Sequence, residues 1–434
     1  MNSTAPRAVV TGIGLVTPLG TDVAEFFEAL CEPRSGLVRP PEGHVAHGLI
    51  DSAGIAPDLD AAALVPRHDR SVADRFTLMA VAAADAALAD AGITIGQDVD
   101  PYRVAVVAAT GAGGMITFER QARASGERGA PGVSSYLYSA FLPNMATARI
   151  ALKHGIRGFS STVTTACAAS AHAIAEAFRL ISAGDADVVV CGGTEATLGG
   201  LTGIAGFRNA RALATGWEDD PTAASRPFDS RRNGFVLGEG GGMLVVERAD
   251  FADARGAAGY ADLVGWGSTT DAYHLIMPNP DGSGVAACLR SAIARAGLDL
   301  ADIGYVNAHG TGTKIGDMAE AAAIQQVFGP DQPAVSSTKG VTGHLLGGSG
   351  AVEAAATVLA LAGGTLPPTH NLDDPDPKCD LDHVRGGART APVRAALSTS
   401  SAFGGHNVAL VFQPPSTRLA RTAAGAAGGT DHAG

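Results

Sequence analysis

Thr164-Thr165-Ala166-Cys167-Ala168-Ala169-Ser170 leads into an alanine-rich run ending at Ala183-Gly184, and then into Ala186–Gly192 (ADVVVCG). Ser170–Ala183 has helical periodicity, and Gly184 is a natural stop. ADVVVCG is a continuous apolar, β-branched run, as in strands buried on both faces. A helix feeding straight into such a strand is half the repeating unit of an α/β sheet.

The same alternation extends in both directions. Toward the N-terminus lie strand-like runs at Ala8–Gly14 (AVVTGIG) and Val104–Thr110, with a helix from a Ser71 cap to about Asp90 and Gly92 beyond it. Toward the C-terminus, Gly242–Glu247, Ala261–Gly267, Ile303–Ala308, Ala334–Ser337, Ala396–Ser400 and Val408–Phe412 read as strands. Val285–Ala296, Met318–Phe328 and Gly350–Ala362 read as helices, each followed by glycine. The strands fall into two sets, joined near residues 250–258, although no sequence repeat between them is visible. The expected division is residues 1–255, residues 256–413 and a disordered tail over residues 414–434, which is rich in Ala, Gly and Thr. Met115–Ser160 and Gly199–Gly234 are extra material in the first half, suited to lid, dimer or substrate-channel segments.

Composition narrows the function. The chain has 434 residues, 46% hydrophobic and 17% charged, which is enough apolar material for a large core. A net charge of -12 argues against a general nucleic-acid binder. The five cysteines are scattered and form no C-x-x-C pair, so zinc and redox readings are weak and a reduced, cytoplasmic setting fits best. Met1–Arg7 lacks the apolar core of a signal peptide, and no run of apolar residues suggests a membrane span.

Four constellations could carry chemistry. Cys167 precedes a helix, where the dipole and free N–H groups favour the thiolate; a buried structural cysteine is the bland alternative. His309 lies in Asn307-Ala308-His309-Gly310-Thr311-Gly312-Thr313, directly after a strand, and reads either as a cleft residue or as a turn histidine bonded to its own loop. Lys339 and His344 share Ser336–Gly347, with Glu353 in the following helix; alone, Lys339 could be a solvated surface charge. Phe403-Gly404-Gly405-His406-Asn407 could aim backbone N–H groups at a substrate oxygen, or be an ordinary hairpin turn. All four follow strands, and ligands of α/β folds collect at strand ends.

Taken together with RAVVTGIGLVTPLG, DADVVVCGGTEA, ASRPFDSRRNGFVLGEGGG, GYVNAHGTGTKIGD and SSTKGVTGHLLGGSGAVEA, these motifs resemble the elongating β-ketoacyl-acyl carrier protein synthases, type II, and the related polyketide ketosynthases. The match runs from about Arg7 to Phe412. The resemblance implies a thiolase-like fold, two similar halves in a layered α-β-α-β-α arrangement, and a dimer. It implies acyl transfer from acyl carrier protein to Cys167, then decarboxylative condensation with malonyl-carrier protein, with no tightly bound cofactor and no metal. His309 and His344 would donate to the enolate. Lys339, with Glu353, would support His344 and the site's electrostatics, and the N–H groups of Cys167 and Phe403 would form the oxyanion hole. Phe403 would gate the acyl pocket, Ala112 and Phe207 would line it, and Thr311 and Thr313 would hold the pantetheine. Arg67, Arg70, Arg75, Arg208 and Arg211 are candidates for docking an acidic carrier protein.

Three departures stand out. Ala112 occupies a position often bulky, which should deepen the pocket. Ala402 replaces a common glycine before Phe403. Lys314 is unusual near the carrier entrance. The pathway is open between fatty-acid and polyketide synthesis, either as a homodimer or as the catalytic half of a heterodimer with a chain-length factor. A coenzyme A-dependent thiolase would carry a second late catalytic cysteine, and Cys379 lies outside the expected loop. A non-catalytic partner subunit would lack Cys167.

Overall fold

Ten strands, nearly all of them buried over most of their length, form the frame. The computed structural model describes residues 7–32, 34–70, 72–417 and 419–421. The first half supplies β1 (Ala8–Val16), β2 (Val104–Ala109), β3 (Ser160–Ser161), β4 (Val188–Glu195) and β5 (Gly240–Arg248). The second supplies β6 (Ala261–Thr270), β7 (Ile303–Asn307), β8 (Ala334–Ser336), β9 (Ala395–Ala402) and β10 (His406–Gln413). In space the order is β8-β7-β9-β10-β6-β1-β5-β4-β2-β3. Each half therefore runs first, fifth, fourth, second, third strand outward from the middle. The pairing directions also match: antiparallel for the inner three strands, parallel for the outer three. The halves meet where Ala8–Val10 pairs with Ala261–Leu263.

Helices follow the same symmetry. α1 (Arg75–Ala91) packs on β1, and α3 (Ser283–Ala296) on β6. α2 (Ala169–Ala183) and α5 (Ser349–Gly363) pack against each other between the halves. α4 (Lys314–Phe328) packs against α3. The result is the layered arrangement of a thiolase-like fold. A repeat signature exists after all. Gly12 and Gly14 of β1 let α1 approach so closely that an added Cβ would meet Ala87 O at 2.1 Å and Ala83 O at 2.0 Å. Gly265 and Gly267 of β6 do the same for α3, with Ala292 O at 2.7 Å and Cys288 O at 2.2 Å.

Some expectations are corrected. Ser71 lies outside the described residues, and the cap of α1 is Asp74, which accepts from Phe76 N and also from Thr117 N at 2.9 Å. α4 starts at Lys314 rather than Met318. The tail is ordered at its start: Leu419–Ala420 pairs with Ala258–Gly259, and Arg421 pairs with Asp90 and covers the Tyr260 ring. Residues 422–434 lie outside the described residues. Leu346–Gly363 is long and apolar enough to cross a bilayer, but 83% of it is buried inside the protein.

Candidate active site

Cys167 sits in the single 3₁₀ turn Ala166–Ala168 that opens into α2. Ala166 holds φ 48°, a conformation most L-residues avoid. The second half repeats this feature: Leu346 also has φ 48°, in the turn Leu346–Gly348 that opens into α5. Gly347 thus occupies the place that Cys167 has in the first half. Its missing side chain is required, because a Cβ would lie 2.2 Å from Gly111 N.

The two loops from the second half bring imidazoles together. His309 follows β7, and its N–H donates to Glu320 Oε1 at 2.8 Å and to Thr399 Oγ1 at 3.1 Å; Gly310 N donates to Glu320 Oε2 at 2.8 Å. His344 N donates to Val236 O at 2.8 Å, and its Nδ1 lies 3.0 Å from Ser349 Oγ at the start of α5. The rings stand edge to face, with centroids 5.2 Å apart and an 83° interplanar angle. Behind them Lys339 is 1% exposed, and its hydrogen-bond contacts with the pair go to His309 rather than to His344, the ring it was expected to support. Its ammonium donates to His309 O at 2.6 Å, lies 3.4 Å from His309 Nδ1, and pairs with Glu353 Oε1. An ammonium has no acceptor, so His309 Nδ1 faces it as an acceptor and the ring proton resides on Nε2.

Burial dominates the titrations. It holds His309 well below its ordinary range, helped by Lys339 and His344, and holds His344 well below as well, helped by Lys339. Both rings are neutral at physiological pH. Burial pushes the Cys167 thiol up to about 12, against the pull of the Lys339 charge. The expected preference for thiolate at a helix start is thus outweighed by desolvation in this chain.

Cys167, His309 and His344 line one cavity of about 470 Å³, together with Phe207, Phe403, Thr311, Thr313, Arg211 and Lys314. Thr311 Oγ1 and Thr313 Oγ1 are 3.0 Å apart. Aromatic rings run along one side: Phe403 to Phe207 at 6.3 Å, Phe207 to Phe235 at 5.4 Å, and Phe235 to His344 at 5.3 Å. Residues 403–405 do form a hairpin turn between β9 and β10, with Gly404 and Gly405 at φ 86° and 75°, and the turn still presents Phe403 to the cavity.

Other expected residues fall elsewhere. Ala112 does not line this cavity and is exposed on the single chain. Arg75 is not free to dock a partner. Its guanidinium binds Glu239 at 2.7 Å and Ala56 O at 2.9 Å. Arg67, Arg70 and Arg208 are exposed and outside the cavity lining, whereas Arg211 stands in it.

Three buried carboxylates escaped sequence reading. Glu320 clamps the His309 turn. Asp317 accepts from Phe228 N at 2.8 Å and Gly312 N at 3.1 Å. Glu195 accepts from Gly111 N at 2.6 Å and Gly347 N at 3.3 Å, tying the loop after β2 to the one before α5. The i, i+3 spacing of Asp317 and Glu320, directly after GTGT, was the available signal.

The duplicated fold, with a cysteine at a helix start and facing imidazoles, is that of a thiolase-like condensing acyltransferase. The N-terminal-domain profile of the beta-ketoacyl synthase family matches residues 5–252, and the C-terminal-domain profile matches residues 260–373. A 3-oxoacyl-[acyl-carrier-protein] synthase 2 of Synechocystis is 42% identical over 94% of this chain and 98% of its own. The solved ishigamide ketosynthase/chain length factor superposes with a TM-score of 0.87 at 33% identity, covering 94% of this chain and 99% of that one. A type II polyketide acyl-carrier protein complex with its ketosynthase gives 0.86 at 30% identity, covering 94% and 100%. The chain belongs to the beta-ketoacyl synthase family.

Proposed function

We propose that Cys167 is the acyl-accepting nucleophile and that His309 and His344 steady the malonyl-derived enolate. The chain is an acyltransferase that condenses an enzyme-bound acyl group with malonyl-acyl carrier protein, releasing CO2 and giving 3-oxoacyl-acyl carrier protein. The observation that carries the residue assignment is the edge-to-face imidazole pair lining the same cavity as the sulfur.

In acyl transfer the Cys167 sulfur bonds to the thioester carbon while the carrier's pantetheine sulfur leaves. A thiol held up near 12 does not stand ionised, so its proton departs as the bond forms and ends on the leaving sulfur. The backbone N–H groups of Cys167 and Phe403 take the oxyanion. In condensation the bond to the malonyl carboxylate breaks, and its electron pair moves onto the thioester oxygen. Neutral imidazoles donate to that oxygen, His309 through Nε2. The enolate carbon then attacks the acyl group, the bond to the Cys167 sulfur breaks, and the sulfur takes up one proton from water. Lys339 with Glu353 positions His309, and Thr311 and Thr313 hold the pantetheine. Phe403 gates the acyl chain, and Phe207 lines its pocket.

Arg211 and Lys314 at the cavity are the basic groups for an acidic carrier protein. The second partner is another ketosynthase-type chain, either a copy of this one or a chain-length factor. Ala112, exposed here, reaches an acyl chain only where that second chain covers it. The product serves fatty-acid or polyketide elongation in the cytoplasm, and substrates arrive on phosphopantetheine. Mixing the protein with acyl- and malonyl-carrier protein and weighing the products tests the reading: a 3-oxo product two carbons longer supports it, and its persistence in Cys167→Ala overturns it.

A further inference from the structure

His406 closes the Phe403–Gly405 turn, and its ring lies under the backbone of that turn: a Cβ at Gly404 would meet His406 Nε2 at 3.0 Å. The ring stands edge-on to His172, with centroids 6.3 Å apart and an 82° interplanar angle. His172, near the start of α2, is pinned at both nitrogens. Nδ1 lies 2.8 Å from Thr165 Oγ1, and Nε2 lies 2.9 Å from Ser268 Oγ on β6. Thr165 is two residues before Cys167. Side chains therefore run without a break from the Cys167 loop to the turn that carries Phe403.

Apart from the Phe403–Phe207 ring contact, the hydrogen bonds the turn makes to other segments lead away from Cys167. Gly404 N donates to Leu275 O at 2.8 Å, and Asp271 N donates to Gly405 O at 2.8 Å. Asn407 Nδ2 donates to Asp271 Oδ1 at 2.7 Å. These bind the turn to the stretch after β6, whereas His406 faces the element that starts at the nucleophile.

We propose that His406 is a positioning residue. Through His172 and Thr165 it fixes the height of the Phe403 turn over Cys167, so that the Phe403 N–H meets the thioester oxygen during acyl transfer. The inference rests on the reading of Phe403 as an oxyanion donor given above. His309 and His344 are held by Glu320, Lys339 and Ser349 instead, so the decarboxylation step does not depend on His406.

The test separates the two half-reactions of the full-length enzyme. Acylation is followed by the mass of acyl-Cys167 after mixing with acyl-carrier protein. Decarboxylation is followed by CO2 release from malonyl-carrier protein on enzyme acylated to completion beforehand. His406→Ala should slow acylation about tenfold, the scale expected when a reacting group is slightly misplaced, with CO2 release within about twofold of wild type. Equal loss in both half-reactions would mean a general structural role and overturn the inference. Phe403→Pro, which deletes the donor itself, is the control. If Phe403→Pro slows acylation and His406→Ala does not, the positioning role fails and the oxyanion reading stands. If neither slows it, the oxyanion reading fails first.

Discussion

Lys339 and His309 are joined twice: the ammonium donates to the His309 carbonyl at 2.6 Å and sits 3.4 Å from its Nδ1. Both residues are buried, and Glu353 is the counter-charge. One lysine thus fixes the position and the tautomer of the ring proposed to donate to the enolate. Lys339→Ala should lower condensation about 10²-fold, the scale of losing a preorganised donor. It should also cost about 3–5 kcal/mol of stability, since it strands the Glu353 carboxylate without its partner. Adding Glu353→Gln should restore much of that stability but not the activity, as read by denaturant titration and product formation.

His309→Ala and His344→Ala should each slow CO2 release from malonyl-carrier protein by about 10²–10³-fold. Both variants should still form acyl-Cys167, because the acyl oxyanion is assigned to backbone donors. Single-turnover assays of the two steps distinguish this from a collapsed site, which would lose both.

The imidazole shifts set the pH response. Both rings are held below the ordinary 6.5, so lowering the pH through 6.5 protonates them in the unfolded chain but not in the folded one. Their contribution to stability is complete above 6.5 and falls as the pH drops below it. CO2 release by acylated enzyme should accordingly stay flat from pH 8 down to about 6, where an ordinary histidine would already be protonating.

Glu195 behaves oppositely. Burial raises its carboxyl from 4.5 to about 7. Between those values the folded chain keeps a proton that the unfolded chain has released, so stability falls as pH rises through the window and levels off above 7. Glu195→Gln should remove a slope of at most about 1.4 kcal/mol per pH unit. Denaturation midpoints of both proteins from pH 4.5 to 7.5 check this, and parallel curves would contradict it.

How far the sequence could be read depended on whether a residue's surroundings are local. Val188–Val190 and Ala105–Val107 announce buried strands because each is apolar throughout. Cys167, His309 and His344 could be named because each lies in a dense small-residue motif. β3 has only two residues and leaves no period to detect. Glu195, Asp317 and Glu320 look like surface charges until distant backbone N–H groups close around them. The place of Ala112 could not be read, because only the path of the loop after β2 shows it exposed and away from the cavity. The duplication was hidden because it rests on G-x-G pairs and on turns with φ 48°, not on a shared run of side chains.

Gly347 tests that duplication. Gly347→Ala puts a methyl 2.2 Å from Gly111 N and 2.8 Å from Glu195 Oε2, pressed between the Thr110–Gly111 peptide and a buried carboxylate. The variant should lose about 1–3 kcal/mol, as overpacked cores do, and its acylation rate should drop with it. Gly126→Ala, on an open helix surface with nothing within 4 Å, should be harmless.

The most direct measurement is the mass of the Cys167 peptide after the protein meets acyl-carrier protein alone. One acyl group is expected on that sulfur, discharged when malonyl-carrier protein is added and absent from Cys167→Ala. An unmodified Cys167 in a protein that still makes 3-oxoacyl product would contradict it.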